Sequence, residues 1–212
     1  MLLTGGAAQG HSGEDHDAAP GGMIQRSGKA VRLSVGATVY KHMCSFCHGL
    51  DGNGGGRATD YLYPWPRDFR KGVFKHRSTP SGSLPLDRDI YRTIMQGVPG
   101  TAMPAWESAL SEEEAWSVIE YIKNFSGRFK NEVPKSAIDP GPVPSGAPEA
   151  VAAGKGLYGE LRCQRCHGAD LMGSGSMADN LFDIWDHRVF VYDLNNPNTY
   201  KWGFSKRDIF MT

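Results

Sequence analysis

The chain has 212 residues, enough for about two small domains. Its 23 Lys and Arg balance 23 Asp and Glu, so no net field recruits nucleic acid or an anionic membrane. No stretch approaches the roughly 20 consecutive apolar residues that cross a bilayer, so the sequence reads as soluble, with no transmembrane segment.

Residues 1–33 are rich in Gly, His and Asp and read as a flexible N-terminal arm. Residues 1–8 are too short for a full signal peptide and lack a basic start. Residues 10–17 offer weak metal ligands, although a solvated tail explains them as well. A first helix is expected over 34–44, with Val35, Val39, Tyr40 and Met43 at helical spacing. It runs into Cys44-Ser45-Phe46-Cys47-His48, and the Gly-rich run after that must be loop. Prolines at 64 and 66 exclude regular helix there. Asp87 is placed to cap a helix over 88–96, with Ile90 and Ile94 inward and Gly97 as terminator.

The loop Gly97-Val98-Pro99-Gly100-Thr101-Ala102-Met103-Pro104-Ala105-Trp106 follows. Ser111 and Glu114 then form a capping box for a helix through Asn124, with Trp116, Ile119, Ile122 and Phe125 as its apolar stripe. The first domain is assigned to 34–130 and a Pro-rich, semi-rigid linker to 131–150. A second domain is expected over 151–212, incomplete at its C-terminus. Its middle, 181–203, is rich in aromatic residues and asparagine and is expected to cover a bound group.

All four cysteines lie in two C-x-x-C-H motifs, Cys44/Cys47/His48 and Cys163/Cys166/His167. Two thiols at this spacing add to the vinyl groups of one haem, and the adjoining imidazole reaches its iron. A pooled zinc site or two disulfides would use the same cysteines, but neither needs a histidine behind each pair. A thioredoxin-like motif would need an alternating strand–helix pattern, which is absent. The chain also repeats itself. Arg88-Asp89-Ile90-Tyr91 follows His48 as Arg207-Asp208-Ile209-Phe210 follows His167, each at an offset of 119, and Gly36-x-x-x-Tyr40 is echoed by Gly154-x-x-x-Tyr158.

These residues resemble the class I cytochromes c, duplicated into a dihaem chain. The resemblance implies an all-α fold of two such helical domains in tandem, the second incomplete at its C-terminus. It implies two covalently attached haem c groups, on Cys44 and Cys47 and on Cys163 and Cys166, with His48 and His167 on the irons. Met103 matches the distal methionine of that family, where a neutral thioether favours ferrous iron. Packed core methionine is the alternative for it. Arg67, Arg70 or Lys71 are candidates to pair with propionates, or are plain surface cations. In the family the last helix crosses the first, with Gly36 permitting the approach and Tyr121 as partner.

Shifting Met103 by the offset lands near position 222, so the second distal ligand is expected beyond Thr212. Met172, Met177, His187, Met211 or a five-coordinate iron are the substitutes. Each proximal imidazole is expected to donate its second N–H to a backbone carbonyl.

The implied function is electron transfer, as a soluble carrier or as a module of a respiratory assembly. Its partners would be redox proteins or a respiratory complex. Location would be periplasmic or at the extracytoplasmic face of a bacterial membrane. No acid–base constellation argues for an enzyme, and His42, His76 and His187 are the spare histidines of the folded part. The alternative is a dihaem cytochrome c peroxidase-like enzyme with an open second haem.

Overall fold

A computed structural model describes residues 29–211. The arm up to residue 28, with the stretches 1–8 and 10–17, lies outside these residues, as does Thr212. All regular elements among the described residues are helical, and extended pairing among them is confined to one antiparallel bridge between Phe182 and Arg188.

Helix α1 (Lys29–Val39) starts before the expected 34, because residues 29–33 contain no glycine or proline to break it. A π turn, Tyr40–Cys44, follows and is closed by the Ser45 N–H on the Tyr40 carbonyl. That wider turn rotates the two thiols away from the α1 register before α2 (Ser45–His48) resumes.

Helix α3 (Asp87–Gln96) buries Ile90 and Ile94 and stops at Gly97, whose φ of 68° suits glycine. Its cap differs from the expected Asp87. Leu86 occupies that place, and the buried Asp89 carboxylate accepts the Leu86 N–H at 2.9 Å and the Ser78 N–H at 2.9 Å. A carboxylate in the first turn satisfies donors the helix leaves open and also pins the preceding loop.

Helix α4 (Glu112–Lys123) opens on the expected box, with Ser111 N–H donating to Glu114 Oε2 at 2.9 Å and Glu114 N–H to Ser111 Oγ at 3.3 Å. Its buried face is wider than the expected stripe. Ala115 and Val118 join Ile119 and Ile122, since α4 packs against both α1 and α3, while Trp116 is half-buried and stacks on Tyr91. The α1–α4 crossing is close. A Cβ on Gly36 would stand 2.1 Å from the Ser117 carbonyl oxygen and 3.0 Å from the Tyr121 Cβ.

After α5 (Arg128–Asn131) the proline segment is extended and lies along the first half, with Ile138 N–H donating to the Ser78 carbonyl at 2.8 Å. Helix α6 (Pro148–Glu160) begins with proline in its first turn, where the missing N–H costs nothing. Helices α7 (Gln164–His167) and α8 (Lys206–Phe210) follow, and none of α6, α7 or α8 has a buried residue.

The local geometry after each C-x-x-C-H repeats. Tyr40 donates to the Gly49 carbonyl at 2.8 Å and Tyr158 to the Gly168 carbonyl at 2.6 Å. Gly54 N–H donates to His48 O, and Gly173 N–H to His167 O, both at 2.9 Å. Upstream the offset is 118, not 119. The extra residue between Tyr158 and Cys163 is absorbed where Arg162 takes φ 58°, in place of the π turn of the first half.

Candidate functional site

Cys44, Cys47, His48 and Met103 line one cavity of about 430 Å³, walled by apolar side chains including Phe69, Ile90, Ile94, Val98, Trp106 and Ile122. The structure therefore brings together the four first-half residues that the sequence singled out. Burial pushes the Cys44 thiol up to about 12, with Cys47 beside it adding to the rise, and burial also raises Cys47. Neither is a free reactive thiolate, and among the described residues no cysteine is in a disulfide. No group of three His, Cys, Asp or Glu side chains converges among those residues, which is what a pooled zinc site requires.

His48 is held from two sides. Its ring stacks on Phe69 with centroids 4.5 Å apart, and Phe69 is backed by Phe125 and Tyr40. Its Nδ1 lies 3.0 Å from the Arg67 carbonyl oxygen. A carbonyl only accepts, so Nδ1 carries the proton and Nε2 keeps its lone pair. Burial lowers the His48 pKa, the Arg67 carbonyl opposing, so the neutral ligand form prevails.

Met103 sits in a braced loop. Val98 N–H donates to Met103 O at 3.0 Å, Met103 N–H to Thr101 Oγ1 at 3.1 Å, and Thr101 Oγ1 to Val98 O at 2.7 Å. Gly97 lets the loop fold back, because a Cβ there would meet Ala105 N at 2.6 Å. Glycine and threonine in this loop thus each have a geometric role.

The second motif is set differently. Cys163, Cys166 and His167 are half-buried on helices without a buried face. His167 Nδ1 is buried with no hydrogen-bond partner, unlike His48. The carbonyl expected for it is supplied in the first half by Arg67, and its counterpart in the repeat, Asp186, has φ 65° in a turn. Met172 and Met177 are exposed. His187 does not serve the second motif: its ring lies 4.0 Å from that of Trp65, and it lines the first cavity.

The cause is a contact between the halves that the sequence does not reveal. The segment 181–203 covers the cavity of the first half. Asp183, Trp185, His187, Arg188 and Lys201 line it. Tyr63 Oη accepts the Phe190 N–H at 2.8 Å, and the Arg67 guanidinium lies 4.3 Å from the Trp185 ring centroid. His76 stacks on Trp202, and Arg92 bridges Trp202 O at 2.6 Å and Asp208 at 2.8 Å. The only signal in the sequence is the richness of 181–203 in aromatic residues.

Residues 31–122 match the family described as Cytochrome C oxidase, cbb3-type, subunit III. A solved structure, the Kuenenia stuttgartiensis reducing HAO-like protein complex Kustc0457/Kustc0458, contains a chain 38% identical to this one, with a TM-score of 0.80, over 84% of this chain and 80% of that one. The chain belongs to the c-type cytochromes. As such a cytochrome it is of the class that binds haem c covalently. Among curated relatives, the Cbb3-type cytochrome c oxidase subunit FixP of Sinorhizobium medicae (strain WSM419) is 28% identical over 72% of this cytochrome and 45% of its own length. Cytochrome c55X of Paracoccus denitrificans (strain Pd 1222) is 29% identical over 40% of this cytochrome and 65% of its own length. The cytochrome thus spans less than two thirds of either curated relative. No helix among its described residues is long and apolar enough to cross a membrane.

Proposed function

We propose that this cytochrome carries two haem c groups, the first on Cys44 and Cys47 and the second on Cys163 and Cys166. It relays single electrons between a donor and a larger redox assembly outside the cytoplasm. The observation that carries the reading is the first cavity, where two thiols, a neutral imidazole and a thioether face one apolar space. That donor set fits a haem. Cys44 and Cys47 would hold it through their sulfurs, and His48 Nε2 and Met103 would be the ligands offered to its iron.

A bound haem would supply a ferric–ferrous couple able to exchange one electron. The protein's residues set the conditions for that exchange. Arg67 O holds the His48 tautomer and raises its basicity. Phe69 fixes the plane of its ring. The Gly97 to Pro104 loop presents Met103, and the apolar wall keeps water off the site. The second motif supports a second haem through its repeated backbone, while His167 lacks the carbonyl partner that His48 has. The two proximal histidines therefore differ in hydrogen bonding at Nδ1.

Membership in a complex is supported by the relatives' names, one an oxidase subunit and one part of an HAO-like complex. Intact mass and redox spectra of the protein made with a haem-attachment system test the reading. Two haems are expected, with one lost in C44S/C47S and the other in C163S/C166S. Both should cycle with one-electron reductants. A single haem, or rapid peroxide turnover at an open one, overturns it.

A further inference from the structure

We infer that Lys201, carried by the second half of the chain, joins Arg67 and Lys75 of the first half in holding the carboxylates of the group bound in the first cavity. The second half thereby completes the first haem site. The inference rests on the proposal that this cavity holds a haem, whose two propionates are its only carboxylates.

Four cationic or protonatable side chains, Arg67, Lys75, His76 and Lys201, line one region of the cavity wall. Among the described residues no carboxylate oxygen lies within ion-pair distance of Arg67, Lys75 or Lys201. The two acids that line the same cavity are already engaged. Asp68 takes a bidentate contact from Arg70 at 3.0 Å and 3.0 Å. Asp183 Oδ1 accepts the Trp185 N–H at 2.9 Å and the His187 N–H at 3.0 Å. Asp183 offsets Arg67 and Lys75 in part, but no carboxylate is among the groups acting on Lys201, and partly desolvated like charges repel. The strain shows in their titration. Burial, then Lys75 and Arg67, lowers Lys201 to about 8, and burial, then Lys201 and the other nearby cations, lowers His76 to about 4. A pair of carboxylates at this wall relieves both effects at once.

The cations are also held in place. Arg67 lies under the Trp185 ring, and the Lys201 ammonium sits 4.1 Å from the Tyr192 ring centroid. Lys201 follows Tyr200 and precedes the buried Trp202, which stacks on His76 and lies under Arg92. The second half is thus fastened to the first beside Lys201. The cations also act on the iron. Positive charge near the metal disfavours the more positive ferric state, so each cation raises the potential.

The test is spectroelectrochemistry of the full holoprotein in three variants, with covalent haem first counted by mass. K201Q is expected to lower the first-haem potential by an amount equal to about tenfold in the ferric–ferrous equilibrium, about 59 mV for one electron. K201R is expected to restore it. K75Q, at an exposed residue, moves the potential in the same direction and serves if K201Q folds poorly. An unchanged first-haem potential in both glutamine variants overturns the inference. So does a loss of poly-glutamate binding with that potential unchanged, which assigns the cluster to an acidic protein surface. Absence of haem on Cys44 and Cys47 overturns the underlying proposal instead, so the two failures are distinct.

Discussion

Gly36 and Gly154 hold equivalent places in the two copies, and the structure predicts opposite effects for the same substitution. In G36A the new Cβ would stand 2.1 Å from the Ser117 carbonyl oxygen and 2.6 Å from its carbon. Ordinary van der Waals contact begins at 3.4 Å, so α1 and α4 must part by about 1 Å. The core packed around this crossing contains Val39, Tyr40, Val118 and Ile119, all buried. A gap of about 0.5–1 Å forfeits roughly a quarter to a half of the dispersion attraction across it. Overpacking of this kind costs about 1–3 kcal/mol, and backbone atoms cannot swing aside as a side chain can. Ala regains about 1 kcal/mol of helix propensity, so with a cost near the upper end the net loss is about 2 kcal/mol.

Gly154 lies inside α6, and a Cβ there meets nothing within 4 Å. G154A therefore keeps only the helix gain and stabilises by about 0.5–1 kcal/mol. Urea denaturation of the holoproteins, followed by far-UV circular dichroism and Soret absorption, measures both. Equal destabilisation by the two substitutions, or a G36A loss below about 0.5 kcal/mol, refutes the packing argument.

Y40F removes a buried hydrogen bond to Gly49 O and should cost about 1–2 kcal/mol, whereas Y158F, whose ring is itself less buried, should cost less; the same denaturation series compares them. S111A removes the capping box of α4 and should cost about 1 kcal/mol. Asp208 is pushed up by burial but is held below the usual carboxylate range by Ser205 and Arg92. Its contact with Arg92 is thus fully present above about pH 4 and is lost as pH falls through that lowered value. Trp202 fluorescence should change in that acid window in the wild type, and the change should vanish in D208N. R92A breaks the same junction at neutral pH, and limited proteolysis should then cut within 181–203 faster.

Short-range chemistry is legible in the sequence. The C-x-x-C-H spacing, the Gly97 to Pro104 loop and the Ser111–Glu114 box are local patterns, and the structure forms each of them. The role of Gly36 comes from the family resemblance, and the structure sets it against the Ser117 carbonyl at the α1–α4 crossing. The stripe on α4 is wider than its periodicity suggests, because periodicity shows one face while α4 is packed by two helices. Asp89 is hidden as a cap because its partners include Ser78, eleven residues away.

His187, one of the substitutes considered for the second distal ligand, lines the first cavity instead. Which half a side chain serves depends on how the two halves dock, and docking leaves no period in the chain. Trp185 and Lys201 are invisible for the same reason. Only the aromatic richness of 181–203 hints that this segment covers a bound group.

The most direct measurement is the ferric spectrum of the purified holoprotein beside that of M103A. Methionine–sulfur absorption from the first haem is predicted in the wild type, with its loss in M103A and carbon monoxide binding at that haem once reduced. A first haem whose spectrum and carbon monoxide binding are the same in both proteins would contradict the assignment of His48 and Met103 to one iron.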